Sequence, residues 1–143
     1  MSSYKICFRF EDFYDQPPDP GLYSGSISSA RFSRSAGGNR MLKVVHALEG
    51  VEPAYQLVAE YFVLEGERLS PLAVFLARRR LVELYRACRI FPKEGDTINP
   101  AQLVGARLQV GIEHEEWEGR TRLRVAGYRP LEEPSASGEE IPF

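Results

Sequence analysis

The chain is poor in cysteine and tryptophan, with two of the first and one of the second in 143 residues. Cys7 and Cys88 lie far apart and beside no Cys/His cluster. That argues against a disulfide framework or a zinc site and makes a reduced, cytoplasmic setting the expectation. No apolar run approaches the ~20 residues that cross a bilayer. The opening Met1-Ser2-Ser3-Tyr4-Lys5-Ile6-Cys7 has no long apolar core behind a basic start, so neither a membrane partner nor a secretory signal is expected. Enzyme signatures are scarce too: there is no phosphate-binding loop, nucleophile elbow or dinucleotide fingerprint. Glu113-His114-Glu115-Glu116 is rich in ligand atoms but lacks the metalloprotease spacing and falls on a strand and turn. His46 and His114 read as structural or surface residues. The sequence therefore predicts a protein that is not an enzyme and holds no cofactor or metal.

What is present fits one globular domain. Hydrophobic residues make up 43% and charged residues 27% of the chain, enough for a core that needs no metal or disulfide. The net charge of -2 hides a partition. Residues 1–20 hold two basic and four acidic groups, residues 21–131 hold 16 basic and 12 acidic groups, and residues 132–143 hold four Glu and no basic residue. A basic body between acidic ends points to a polyanion as ligand. The same boundaries divide the chain into an N-terminal arm, a body and an acidic tail.

Along the chain, Pro17-Pro18-Asp19-Pro20-Gly21 is a loop. The stretch Phe8 to Asp15 before it reads as a short strand or arm. From Leu22 to Ser33, Tyr23 and Ile27 take one phase of the two-residue alternation, and Ala30 and Phe32 take the other, which predicts a bulge near Ser28-Ser29. Ala36-Gly37-Gly38-Asn39 turns this strand into Met41–Leu48. A third apolar run spans Tyr55 to Leu64, and its two faces cannot be told apart by alternation. Ser70-Pro71 starts a helix through Ala87 or Arg89. Within that helix Arg79 and Glu83 stand as an i,i+4 pair, and Arg78-Arg79-Arg80 reads mostly as a solvated face. Asn99-Pro100 starts one short turn ending at Gly105. Two alternating strands follow, with Leu108, Val110 and Ile112 inward in the first, Leu123 and Val125 inward in the second, and Glu118-Gly119 turning between them. Three strands, a helix and two strands is the connectivity of the OB-fold, a five-stranded, partly open Greek-key barrel.

Two clusters then carry candidate chemistry. Arg120, Arg122 and Arg124 alternate with Thr121, Leu123 and Val125, so the three guanidiniums share a face on which Tyr128 is expected to continue. Three like charges in a row suit an anion laid across them; the competing reading pairs them with Glu113, Glu115 or Glu116 across the hairpin. Trp117 at the hairpin tip is either a platform for a base or a lid on the barrel end. Arg31, Arg34, Arg40 and Lys43 surround the first Gly-Gly turn, with Phe32 interleaved. A basic finger beside aromatic rings suits a single strand, whose phosphates and base faces both need partners. The loops after strands 1 and 4 flank the oligonucleotide face of an OB-fold, and both clusters fall there. Among Tyr55, Tyr61 and Phe62, one or two are expected to stack bases and at least one to pack in the core.

The tail ends in Glu139-Glu140-Ile141-Pro142-Phe143, apolar only in its last three residues. It offers a ring, a carboxylate beside it and two acids upstream, the complement of an apolar pocket lipped by Arg or Lys. This end resembles the acidic tip of bacterial single-stranded-DNA-binding proteins, which usually reads Asp-Asp-Asp-Ile-Pro-Phe. The body resembles a phage- and mobile-element-borne relative first known as a domain of unknown function. The likeness lies in Pro20-Gly21-Leu22-Tyr23, in Gly38-Asn39-Arg40-Met41-Leu42-Lys43, and in the Arg- and Leu-rich helix ending near Arg86-Ala87-Cys88. Gln102-Leu103-Val104-Gly105 and Gly127-Tyr128 complete it.

The resemblance implies an OB-fold that coats single-stranded DNA in recombination, replication or repair of a phage, plasmid or integrative element. It also implies that Glu139, Glu140, Ile141, Pro142 and Phe143 recruit partner enzymes, and that the chain forms a dimer or tetramer. In this reading Arg31, Arg34, Arg40, Lys43, Arg120, Arg122 and Arg124 neutralise phosphates. Phe32, Trp117, Tyr128 and some of Tyr55, Tyr61 and Phe62 stack bases. The alternatives are an OB-fold adaptor that binds protein, and a metal-dependent nuclease using Glu113, Glu115 and Glu118. RNA as the ligand also stays open.

Overall fold

In a computed structural model, which describes residues 5–9 and 17–131, the first strand serves two partners and its sequence bends it to do so. Strand β1 (Gly21–Arg34) pairs antiparallel with β4 (Arg107–Trp117) through residues 21–26 and with β2 (Arg40–Leu48) through residues 25–34. Where both partners are present, a Cβ on Gly25 would lie 2.7 Å from the Ala47 carbonyl oxygen, so no larger residue fits. The register then slips between Ile27 and Ser29, leaving Ser28 as the extra residue of the expected bulge. The slip keeps Tyr23, Ile27, Ala30 and Phe32 on one inner face.

Strands β3 (Leu57–Glu65) and β5 (Arg120–Pro130) complete a five-stranded antiparallel sheet of order β3-β2-β1-β4-β5, and helix α1 (Pro71–Ala87) lies between β3 and β4 in sequence. The β1–β2 turn places Gly38 at φ 84, and the β4–β5 turn places Glu118 and Gly119 at φ 51 and 76. The second pair matches a two-residue turn with both central residues left-handed, which follows the strand twist. The helix begins where Ser70 Oγ accepts from the Ala73 amide at 3.0 Å and Pro71 occupies the first turn.

The core fills the inner face: Ile27, Leu42, Val44, Leu48, Phe62, Leu108, Val110 and Ile112 are buried, and α1 adds Leu81, Leu84, Tyr85 and Ala87. The apolar residues of the helix's first half behave differently, with Leu72, Phe75 and Leu76 all more than half exposed. The buried helix residues all come from its second half, Leu81 onward. Arg79 stands over the Phe75 ring at 5.6 Å and makes no ion pair with Glu83, which corrects that expectation.

The sheet curls into a barrel that does not close. Its edges, β3 and β5, share no backbone ladder among the described residues; side chains join them instead. Glu60, on the inner phase of β3, accepts from the Tyr128 hydroxyl of β5 and the Arg80 guanidinium of α1, and lies 3.1 Å from His46 Nε2 on β2. A carboxylate this buried is tolerable because three partners replace its water. Burial first, then the Glu60 charge, pushes the Tyr128 hydroxyl far above its ordinary range, so it remains a donor.

One aromatic expectation is resolved and another changes here. Phe62 has no exposed surface and belongs to the core, because β3 alternates with Val58, Glu60, Phe62 and Leu64 inward. Tyr128 does not continue the arginine face. The register slips between Gly111 and Ile112, Ala126 is the extra residue, and the phase turns Tyr128 inward opposite Val110.

Residues 5–9 carry no regular structure, and the rest of the expected short strand or arm, from residue 10 to Asp15, lies outside the described residues. The proline loop is anchored by His114 Nε2 against the Pro18 carbonyl at 2.7 Å and by the Tyr23 hydroxyl on Asp19. Among the described residues no helix is long and apolar enough to cross a membrane.

Candidate nucleic-acid interface

Cross-strand register builds the outer face of β1, β2 and β3 rung by rung. Arg31 stands opposite Lys43 and Lys43 opposite Tyr61; the neighbouring rungs are Ser33–Met41–Val63, Ser29–Val45–Ala59 and Ser26–Ala47–Leu57. The face therefore carries serines and apolar residues and no charge except on one basic and aromatic rung. Leu57 is 62% and Tyr61 48% exposed, large apolar surface for a strand with a full core behind it. The Lys43 ammonium lies over the Tyr61 ring at 5.8 Å from its centroid.

This face continues into the gap between the barrel's free edges. A cleft of about 570 Å³ there is lined by Tyr55, Leu57 and Tyr61 on one bank and by Thr121, Arg122 and Arg124 on the other, with Glu60 and Arg80 also lining it. Tyr55 reaches it from a 3-10 turn, Pro53–Tyr55, ahead of β3. Two tyrosines thus face two arginines across a trough open to solvent.

The arginines are not bare. Arg122 Nε donates to Glu115 at 2.6 Å, and the Arg124 guanidinium donates to Glu113 at 2.6 Å, both across the β4–β5 hairpin. The hydrogen bond and charge of Glu113 raise the Arg124 pKa further. Thr121 Oγ1 donates to Glu116 at 3.0 Å. The competing sequence reading, with the row of charge neutralised by cross-strand glutamates, is realised for two of the three arginines. Arg120 pairs in register with Trp117 and has no carboxylate partner among the described residues. Trp117 is 52% exposed, so its indole is not sealed inside, and the Arg122 guanidinium stacks over it at 5.0 Å.

The first hairpin divides its charges. Arg31 and Lys43 join the outer face, whereas Phe32, Arg34 and Arg40 line a separate groove at the barrel end. Arg40 pairs with Glu65 at 3.5 Å, and the Arg34 guanidinium donates to the Gly38 carbonyl at 3.2 Å. The structure therefore gathers Arg31, Lys43, Tyr55, Tyr61, Trp117, Arg120, Arg122 and Arg124 along one outer surface. It assigns Phe62 and Tyr128 to the interior and sends Phe32, Arg34 and Arg40 elsewhere. Arg80, read as solvated, turns out to line the cleft; the signal was a lone carboxylate, Glu60, in a strand with no other central charge. Glu139, Glu140, Ile141, Pro142 and Phe143 lie outside the described residues.

Among the described residues no group of three His, Cys, Asp or Glu could hold a metal ion. Burial raises the Cys88 thiol to about 11, leaving it protonated at neutral pH. No family model matches the chain, and no curated protein is significantly similar to it.

Proposed function

We propose that the chain is an OB-fold protein that binds single-stranded DNA with little sequence preference. The strand order supports the fold assignment: β1 is shared between β2 and β4, and the helix precedes β4, as in a partly open five-stranded barrel. The observation that carries the function is the edge cleft, where Tyr55 and Tyr61 face Arg122 and Arg124. Rings that stack on any base beside cations that meet any phosphate give binding without base readout. Arg31, Lys43 and Arg120 extend the positive track, and Trp117 adds a ring at its end. The tail would act separately, with Glu139, Glu140, Ile141, Pro142 and Phe143 recruiting recombination, replication or repair proteins. Deleting Phe143 should leave DNA binding intact; loss of binding would contradict this division.

One observation favours a second reading. The glutamate pairs on Arg122 and Arg124 leave part of the surface electrically satisfied, which suits a protein-binding adaptor. Emission from Trp117, the one tryptophan in the sequence, separates the two. Oligo-dT should quench it saturably, and added salt should restore it. Unchanged emission together with no retention of labelled oligonucleotide at low salt would leave the adaptor reading.

A further inference from the structure

Phe32 and Phe91 are exposed aromatic rings outside the edge cleft, and both line one groove. Phe32 keeps the inner phase of β1, but it lies past Ala30, the last buried residue of that strand, and is 49% exposed. Phe91 is 66% exposed on the loop after α1. That loop is held in place: the Tyr85 hydroxyl donates to the Asn99 carbonyl at 2.8 Å, the Lys93 amide donates to Asp96 at 2.8 Å, and Gly95 takes φ 91. The ring is thus presented to solvent by an ordered, hydrogen-bonded loop.

The groove under these rings measures about 870 Å³ and shares Phe32, Arg78 and Ile98 with a second hollow of about 680 Å³ reaching the first hairpin. Arg34, Arg40, Arg78 and Lys93 line the pair of hollows against only two carboxylates, Glu65 and Asp96. Glu65 is engaged by Arg40. The side chains of Arg34, Arg78 and Lys93 make no ion pair among the described residues. Net positive charge next to uncovered ring faces matches a polyanion with stackable bases better than an apolar peptide.

The groove is also continuous with the proposed interface. Alternation along β1 puts Arg31 on the outer face and Phe32 and Arg34 on the inner one, so the hairpin end joins the two surfaces. We propose that a single strand bound on the outer face passes round this hairpin and lays further nucleotides in the groove. Phe32 and Phe91 stack its bases there, and Arg34, Arg78 and Lys93 meet its phosphates. This inference rests on the single-stranded-DNA reading and sets the length of strand that one copy covers.

The test compares a short oligo-dT of about 6 nucleotides with a longer one of about 16, lengths near the two ends of the range for one such barrel. Protein is kept below one copy per oligonucleotide. Wild type should bind the longer strand roughly tenfold more tightly than the length ratio alone explains. Phe91→Ala, and separately Lys93→Glu, should remove that gain while leaving short-strand affinity unchanged, which also shows that the variants fold. Equal long-strand affinity in wild type and both variants would overturn the inference while leaving the outer-face reading intact. Absence of binding to either strand by wild type would overturn both.

Discussion

Lys43 and Tyr61 stand directly opposite each other on β2 and β3, with the ammonium 5.8 Å from the ring centroid. The pairing puts a cation over a flat ring on a face without other charge; under the proposed function, one nucleotide would give its phosphate to Lys43 and its base to Tyr61. The two halves of that contact have different salt signatures. Lys43→Ala should weaken oligo-dT binding and reduce the salt slope by about 0.7, the share of one phosphate on a single strand. Tyr61→Ala should lose about 1–3 kcal/mol with the slope unchanged. The check is a set of titrations at several salt concentrations, and equal slope changes in both variants would contradict the division of roles.

Glu113 and Glu115 occupy the arginines that DNA would need. If phosphates displace them, wild type trades one anion for another, and the freed carboxylates take up cations again. The double variant Glu113→Gln, Glu115→Gln should bind oligo-dT several-fold more tightly and with a steeper salt dependence. Unchanged affinity would remove Arg122 and Arg124 from the interface.

Tyr128 and Glu60 fasten the open edges of the barrel. Tyr128→Phe removes a hydrogen bond to a buried carboxylate and should cost about 2 kcal/mol in urea unfolding at neutral pH. The pH dependence has a definite sign. The folded state holds the Tyr128 proton more tightly than the unfolded chain, whose tyrosines titrate near ~10. Stability from this group is therefore intact below about pH 10 and falls as pH rises beyond it, by roughly 1.4 kcal/mol per unit. Tyr85 and Cys88 are raised by burial as well, so the variant should show a shallower alkaline decline, not a flat one. Matching declines in variant and wild type would contradict the assignment.

How much of this was legible in the sequence depended on which residues carried the phase. The β1 bulge could be read because apolar residues stand on both sides of it, Tyr23 and Ile27 before and Ala30 and Phe32 after. The β5 bulge could not, because it falls at Ala126-Gly127, where no side chain reports a face. Unbroken alternation from Arg120 therefore puts Tyr128 outside. Strand β3 was opaque because a buried carboxylate, Glu60, sits on the core phase while Leu57, Ala59 and Tyr61 occupy the solvent phase, so both phases look alike. The partners that make Glu60 acceptable come from β2, α1 and β5, and only the tertiary fold brings them together. The helix start at Ser70-Pro71 and both hairpin turns were local chemistry and were readable. The candidate interface was half visible: the cations were evident, but their division between two faces followed from the register of β1 with β2.

The central claim is that the outer face and edge cleft hold an unpaired polynucleotide. Anisotropy of a labelled oligo-dT, set against a duplex of equal length across a range of salt, tests it most directly. With net counterion release at about three phosphates, those on Arg31, Lys43 and Arg120, log affinity for a short single strand should fall against log salt with a slope of about -2, and the duplex should bind far more weakly. Equal affinity for the duplex, or a single-strand affinity indifferent to salt, would contradict the account.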